Sequence, residues 1–296
     1  MPAPLQRIAI TGSTGLIGSA LVGHLRSEGH TVQRLVRRKA SAPDEIEWDP
    51  QAGTVDLASL TGVDAVIHLA GANVGDHRWT KKYRAQILNS RLLGTTTIAT
   101  AVAEVKPKVF ISASAIGYYG ETGNRAVTET DRGGEDFLAA VCREWEAAAD
   151  LAGDVRTIKV RTGLVLEPTG GALGRMLPLF RLGLGGKLGS GKQWWSWITL
   201  HDEIRALCHL LESNLSGPVN LTSPNPVTNQ EFTAALARAL HRPALFPVPG
   251  FALKAALGGF ATEILGSKRV SPHALTESGF TFDYPHLMSA LELLAQ

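Results

Sequence analysis

The sequence predicts an α/β fold, a doubly wound parallel sheet with helices on both faces, and three observations predict it. Short β-branched runs alternate with amphipathic stretches through the first half of the chain, as βαβ units require. The runs are apolar throughout, the pattern of strands buried on both faces. A glycine-rich turn, Thr11-Gly12-Ser13-Thr14-Gly15-Leu16-Ile17-Gly18, joins the first run to the first amphipathic stretch.

Arg7 to Thr11 reads as the first strand, Leu16 to Glu28 as a helix and Thr31 to Val36 as the second strand. Ala65 to Leu69 is a third strong strand, followed by helix from about Lys82 to Val105 and strand from Val109 to Ser112. Glu135 to Leu151 is helical in period, and Arg156 to Val160 is strand again. After Arg161 the texture changes. Glycines crowd the stretch from Gly163 to Gly191, implying long loops around a short helix, and Trp194, Trp195 and Trp197 follow. Asp202 to Ser213 and Asn229 to Leu240 read as helices, with turn-rich sequence from Pro218 to Pro226 between them. Pro243, Pro247 and Pro249 then lead into apolar helix.

Composition narrows the function classes. With 296 residues, 44% hydrophobic and 19% charged, the chain can bury a full core. Net charge is +2, and the basic residues are scattered except for Arg34, Arg37, Arg38 and Lys39, so no nucleic-acid face is expected. Cys142 and Cys208 are far apart in helix-like patterns and read as reduced, buried thiols. No apolar run reaches the ~18 residues of a membrane span, and Met1 to Arg7 lacks a signal-peptide core. The expected location is cytoplasmic, with no membrane partner. The histidines lack metal-ligand spacing, so no metal is expected.

The glycine turn carries the sharpest chemistry. A pyrophosphate needs close backbone approach, free N–H groups and the positive end of a helix dipole. Glycine at positions 12 and 15 removes the side chains that would block that approach, and Gly18 lets the helix pack against the strand. Strand, turn and helix occur in the required order, which makes Gly12, Ser13, Thr14, Gly15, Leu16 and Ile17 the expected dinucleotide contacts. The end of the second strand selects the cofactor. An acid there holds the ribose 2′-OH of NAD, whereas guanidinium groups can fork onto the 2′-phosphate of NADP. This chain offers Arg37 and Arg38 immediately after the strand, with Arg34 inside it and open to solvation, so NADP(H) is the expected cofactor. The fold expected is thus a Rossmann-type doubly wound parallel sheet with a smaller C-terminal α/β substrate lobe. Its division is 1–165 for the NADP-binding domain, with 198–228 returning to it, and 166–296 for the lobe.

Longer motifs run nearly end to end: His68 to Trp79 (HLAGANVGDHRW), Ile87 to Arg91, Ser112 to Gly120 (SASAIGYYG), Val141 to Ala149, Arg161 to Leu166, Leu177 to Ile198 and Pro218 to Phe232. With the G-x-x-G-x-x-G spacing from Gly12 to Gly18, they make the chain similar to an atypical branch of the extended short-chain dehydrogenases/reductases. That branch is the YfcH-like epimerase-family proteins with an uncharacterised C-terminal domain. The resemblance implies NADP contacts at Leu69, Ala70 and Gly71 after the third strong strand, at Gln86 and Arg91 on the next helix, and at Val165. Arg91 also has a physical rationale, since a cation facing the cleft can hold a phosphate.

Most members of that superfamily use a Tyr-x-x-x-Lys pair with a strand-end serine, the lysine lowering the phenol pKa one helical turn away. Here Ile87, Thr122, Gly123 and Met288 stand four residues after the four tyrosines, so no such pair exists. Phe137 or Leu138 takes the tyrosine place, and Val141 or Cys142 the lysine place. Ser114, Tyr118 and Tyr119 are the substitute candidates, each with a structural alternative. Arg161 either neutralises a substrate acid or phosphate, or pairs with Glu144 or Glu146. Trp194, Trp195 and Trp197 with His201 either wall a substrate pocket or form core and helix start. His68 is expected to be packed. Two functions stay open: an NADP(H)-dependent oxidoreductase or epimerase-like enzyme on a small carbonyl or hydroxyl substrate, and a non-catalytic NADP(H)-binding regulator or redox sensor. The expected state is monomer or homodimer, the latter through the Lys82–Val105 and Glu135–Leu151 helices with Val141, Trp145 and Ala148 between them, unless those residues pack on the sheet.

Overall fold

A computed structural model describes residues 5–294. Strand β1 (Arg7–Thr11) leads through the glycine turn into α1 (Leu16–Ser27) and back to β2 (Thr31–Val36). Next come β3 (Glu45–Asp49), the short β4 (Thr54–Val55), the one-turn α2 (Leu57–Leu60) and β5 (Ala65–His68). The long α3 (Lys81–Val105), β6 (Val109–Ala115), β7 (Ala126–Val127), α4 (Phe137–Ala149) and β8 (Arg156–Thr162) follow. Then β9 (Leu164–Glu167), α5 (Gly171–Arg181), β10 (Trp194–Trp195), β11 (Trp197–Thr199), α6 (Leu200–Glu212) and β12 (Gly217–Leu221) lie in order. The chain closes with β13 (Val227–Thr228), α7 (Asn229–Ala239), α8 (Gly250–Leu257), α9 (Phe260–Leu265), β14 (Arg269–Val270), α10 (His273–Glu277) and α11 (Leu287–Leu294).

The eight-stranded sheet has the order β12-β8-β6-β5-β1-β2-β3-β4. All its pairings are parallel except β3 with β4. The order reverses at β1, which is where a doubly wound sheet opens a crevice beyond its strand ends. Its two faces bury different sets. Ile8, Ile10, Ile67, Ile111 and Val160 point toward Leu21 and Leu25 of α1 and Leu207 of α6. Ala9, Val66 and Phe110 point toward Ile98 and Val102 of α3. This alternation along apolar strands is the two-sided burial that the sequence predicts.

The structure extends and corrects that reading. The strand begun at Val109 runs on to Ala115, and β3, unanticipated because Glu45, Glu47 and Asp49 break its apolar run, forms beside β2. Val141, Trp145 and Ala148 are buried within the chain, so they are packing residues rather than a free helix face. A third core gathers Leu166, Leu173, Leu177, Phe180, Trp197, Phe232, Leu236, Leu287 and Leu291 from the second half of the chain. Asp202 ties the end of the chain to it: its carboxylate oxygens accept the N–H groups of Asp283 at 3.0 Å and Tyr284 at 2.9 Å. Among the described residues no helix is long and apolar enough to cross a membrane.

Glu203, in the first turn of α6, is buried beside Thr162, whose hydroxyl donates to one carboxyl oxygen at 2.8 Å while the other has no partner. Burial pushes this carboxyl from the ordinary 4.5 up to about 8, with the Thr162 hydrogen bond opposing the shift. A raised folded-state pKa means that the folded protein holds a proton the unfolded chain releases. The resulting stability is complete below pH 4.5 and is lost as pH rises toward about 8. Glu203→Gln should therefore flatten this part of the stability profile, gaining on the wild type as pH rises; chemical denaturation from pH 5 to 8.5 reads the difference.

Candidate functional site

At the carboxyl ends of β1, β2 and β5 lies a groove of about 620 Å³. Gly12, Ser13, Thr14 and Gly15 form its floor, Leu69, Ala70, Gly71 and Ala72 one wall, and Arg34, Arg37 and Arg38 one end. Gly12 has φ +69°, and a Cβ there would stand 2.8 Å from the Leu69 carbonyl carbon and 2.9 Å from the Ala70 nitrogen. A Cβ on Gly18 would stand 2.1 Å from the Gly12 carbonyl oxygen. Both glycines are thus required by backbone approach, which brings two turns and the start of α1 around one space.

Thr11 joins the two turns. Its Oγ1 accepts the N–H groups of Leu69 at 3.1 Å and Ala70 at 3.2 Å, and lies 2.8 Å from His68 Nδ1. With both lone pairs used, the Thr11 proton goes to His68 Nδ1, which fixes the neutral Nε2–H tautomer. Complete burial of the ring suits that form, holding its pKa down near 3. His68 is packed, as expected, and also supports the groove.

The cationic end is organised by two acids that the sequence reading passed over. Arg34 pairs with Asp44 at 2.7 and 3.0 Å and reaches Glu45 at 3.2 Å. Arg38 forks onto Glu45 at 2.6 and 2.8 Å, and Glu45 also accepts the Ser41 N–H at 2.9 Å. Hydrogen bonds from Arg34 hold Asp44 near pKa 2, and those from Arg38 hold Glu45 near 2. Arg34 is therefore tied in place rather than solvated. Arg37 has no acidic partner among the described residues and is the uncompensated cation of the group.

A second polar centre lies where β6, β8 and α4 meet. Arg161 forks onto Glu146 with both contacts at 2.8 Å, and Ser114 donates to Glu146 at 2.7 Å. Arg161 also donates to the Tyr119 hydroxyl at 2.9 Å, and that hydroxyl donates to Asn220 Oδ1 at 2.7 Å. The Tyr118 ring lies 3.4 Å from the guanidinium carbon. Burial works against the Arg161 charge, and Glu146 outweighs it, so the guanidinium stays charged. Burial pushes the Tyr119 phenol up to about 12. Tyr119 therefore spends its one proton inside the network. Tyr118, half-buried, keeps a hydroxyl without a hydrogen-bond partner among the described residues.

A family model described as "NAD dependent epimerase/dehydratase family" matches residues 8–222, and a model of a domain of unknown function, DUF1731, matches 248–294. An epimerase family protein of Mycobacterium leprae is 47% identical over 289 residues, 96% of this chain and 94% of the relative. The chain belongs to the NAD dependent epimerase/dehydratase family. The crystal structure of the human epimerase family protein SDR39U1 with NADPH matches with TM-score 0.91 at 36% identity, over 98% of this chain and 99% of that one. A nucleoside-diphosphate sugar epimerase of Corynebacterium glutamicum matches with TM-score 0.82 at 34% identity, over 99% of this chain and 58% of that one.

In this epimerase-family chain the groove gathers Gly12, Ser13, Thr14, Gly15, Arg37, Arg38, Leu69, Ala70, Gly71 and Gln86 from the residues expected to bind a dinucleotide. Leu16, Ile17, Arg91 and Val165 do not line it. Leu16 faces the Gly170–Gly171 turn, and Val165 pairs with Ile198. Arg91 lies beneath Gly71, stacked 4.7 Å from the Trp145 ring centroid and donating to the Ala72 carbonyl at 2.9 Å. Asn73, Asp76 and His77 from the loop after β5, and Tyr83 and Ser90 from α3, line the groove without having been anticipated.

Trp194, Trp195 and Trp197, read either as pocket wall or as core, do not line the groove. Trp197 is wholly buried in the third core, Trp195 packs on Phe232, and Trp194 bonds Asn124 at 2.7 Å under the Arg269 guanidinium. Trp195 and Trp197 join segments of the second half of the chain, and Trp194 reaches back to the first half at Asn124. His201 is exposed and pairs with Asp283 at 2.7 Å, apart from the groove. His201, Asp202 and Asp283 converge within 4.8 Å, but Arg205 contacts both carboxylates at 3.1 and 3.2 Å and supplies the positive charge there.

Within α4, Leu138 and Cys142 face Gly117 at the end of β6, while Phe137 packs on Trp79 and Val141 on Tyr83 and Ile87. Burial pushes the Cys142 thiol up to about 12, so it is no lysine substitute. Arg161→Met leaves Glu146 charged and unpaired in the interior and should cost about 3–5 kcal/mol. The double variant with Glu146→Leu should recover part of that loss, which a double-mutant cycle in urea measures.

Proposed function

We propose that this chain is an NADP(H)-binding oxidoreductase or epimerase-like enzyme acting on a small carbonyl or hydroxyl substrate, working without a Tyr-x-x-x-Lys pair. The observation that carries the reading is the groove itself, a glycine floor closed at one end by Arg34, Arg37 and Arg38. Its residues fit a dinucleotide on their own geometry, because Gly12, where any Cβ would collide with the Leu69–Ala70 peptide, lets the two turns close into one narrow floor and wall. The N–H groups of Ser13 and Thr14 and of the start of α1 would face the pyrophosphate, while the Gly15 N–H closes the turn on the Gly12 carbonyl. Arg37, with Arg38 fixed beside it, would meet the 2′-phosphate. A nicotinamide cofactor, when bound, supplies hydride transfer. The NADPH in the human relative's structure supports this choice over NADH.

For the substrate proton, Tyr118 is the candidate whose hydroxyl is uncommitted. Ser114 acts on its surroundings through Glu146, to which its proton is already given. A second reading, an NADP(H)-binding regulator, is favoured by one observation: Leu138 and the Cys142 thiol, its pKa pushed by burial up to about 12, face Gly117 on the helix where the resemblance expects a tyrosine and a lysine. A panel of carbonyl substrates followed by NADPH absorbance separates the two. Turnover that falls in Tyr118→Phe supports the enzyme; NADPH binding with no turnover on any substrate supports the regulator.

Cofactor choice is read by intrinsic tryptophan fluorescence. Wild type should bind NADPH at least tenfold more tightly than NADH, a difference of ~1.4 kcal/mol. Arg37→Ala should remove most of that preference while leaving NADH affinity unchanged. Glu45→Gln loosens Arg34 and Arg38 together and should reduce the preference by a smaller factor. Gly12→Ala should abolish binding of both nucleotides.

A further inference from the structure

Six of the nine large hydrophobic side chains that stand exposed among the described residues fall in two stretches: Leu179, Leu182 and Leu184 in one, and Leu245, Phe246 and Phe251 in the other, at 50–76% exposure. The stretches lie side by side. Leu184 bridges to Ala244 and Leu188 to Val248, and Phe246 donates its N–H to the Gly185 carbonyl at 3.1 Å. Gly186 permits this approach, since a Cβ there would stand 2.0 Å from the Phe246 carbonyl oxygen. Apolar residues from the end of α5, the following loop and the start of α8 thus make one edge. Contiguous exposed apolar surface of this kind marks a contact site.

Charge says what kind. Neither 168–201 nor 232–262 contains an aspartate or glutamate, although the chain has 27 acidic residues. Exposed Arg181, Lys187, Arg242 and Lys254 are interleaved with the apolar side chains, and Arg242 donates to the Arg181 carbonyl at 3.2 Å. None of the four is in an ion pair among the described residues, whereas Arg175, further back on α5, is held by Asp76. A second copy of this chain seated edge to edge would set these cations against their own images. A partner helix is gripped by a groove, and side chains at this exposure project instead of lining one. Projecting Leu and Phe among unpaired Lys and Arg suit an anionic bilayer surface, where apolar tips enter the headgroup boundary and cations meet phosphate.

We propose that the edge formed by Leu182, Leu184, Leu245, Phe246 and Phe251 with Arg181, Arg242 and Lys254 docks the protein on anionic membrane surfaces. The docking is peripheral, so it needs no spanning segment, and it departs from the expectation of no membrane partner drawn from apolar run length alone.

Vesicle co-sedimentation of the full chain tests it, comparing phosphatidylcholine vesicles with vesicles of phosphatidylcholine and phosphatidylglycerol in equal parts. Two variants accompany the wild type: Phe246→Ser with Phe251→Ser, and Arg181→Gln with Arg242→Gln and Lys254→Gln. All five positions are exposed. The wild type should sediment with the mixed vesicles, stay in solution with phosphatidylcholine alone, and be released by high salt. Loss of about fivefold in partitioning per cation predicts a decrease on the order of a hundredfold for the charge variant. The phenylalanine variant should lose binding at low salt as well. Wild type that ignores the mixed vesicles, or variants that bind as it does, overturns the proposal. So does a wild-type dimer in size-exclusion chromatography that the phenylalanine variant converts to monomer, because the edge would then be a self-interface.

Discussion

Everything at the candidate site depends on how closely two backbone turns can approach. Gly12 and the Leu69–Ala70 peptide sit at a separation that no Cβ tolerates, and the Thr11 hydroxyl fixes it by accepting both N–H groups. That hydroxyl can do so only because His68 takes its proton, and His68 can take it only because burial keeps the imidazole neutral. A sheet that reverses direction at β1 brings these parts together at one edge. Sequence, sheet order and groove are therefore links of one argument, and the groove's shape follows without reference to any ligand.

The two charged centres solve different problems. Around Glu45 and Asp44 the arginines lie near solvent, where isolated pairs contribute little to stability. Their value is positional: they hold two guanidinium planes at the mouth of the groove and leave Arg37 uncompensated. Around Glu146 the pair is interior, and there every hydrogen-bonding group must be matched. Ser114, Tyr119, Asn220 and Arg161 complete that match and bind β6, β8, α4 and β12 to one another. Hydroxyls consumed in this way cannot also serve as free acids, which leaves Tyr118 as the uncommitted phenol nearby.

Much of this was legible beforehand. The glycine turn announces itself because backbone approach tolerates one residue type, and the apolar strands because burial on two faces leaves no polar positions. What stayed hidden depends on the third dimension. Glu45 and Asp44 read as an ordinary acidic run until β3 sets them against β2, where they meet Arg34 and Arg38. Arg91 has the right charge for a phosphate but the wrong side of the turn, since Trp145 and the Ala72 carbonyl hold it beneath Gly71. The tryptophans near Gly191 carry no label separating a pocket wall from a core, and packing against Phe232, Asn225 and Arg269 decides for core and seam.

The central claim is that the arginine end of the groove recognises a phosphate on the ribose 2′ position. Calorimetric titration of 2′,5′-ADP against 5′-AMP isolates that recognition from the nicotinamide half and from any turnover. The account predicts that 2′,5′-ADP binds at least tenfold more tightly, a margin of ~1.4 kcal/mol, and that added salt narrows the gap. Equal affinities for the two nucleotides would contradict it.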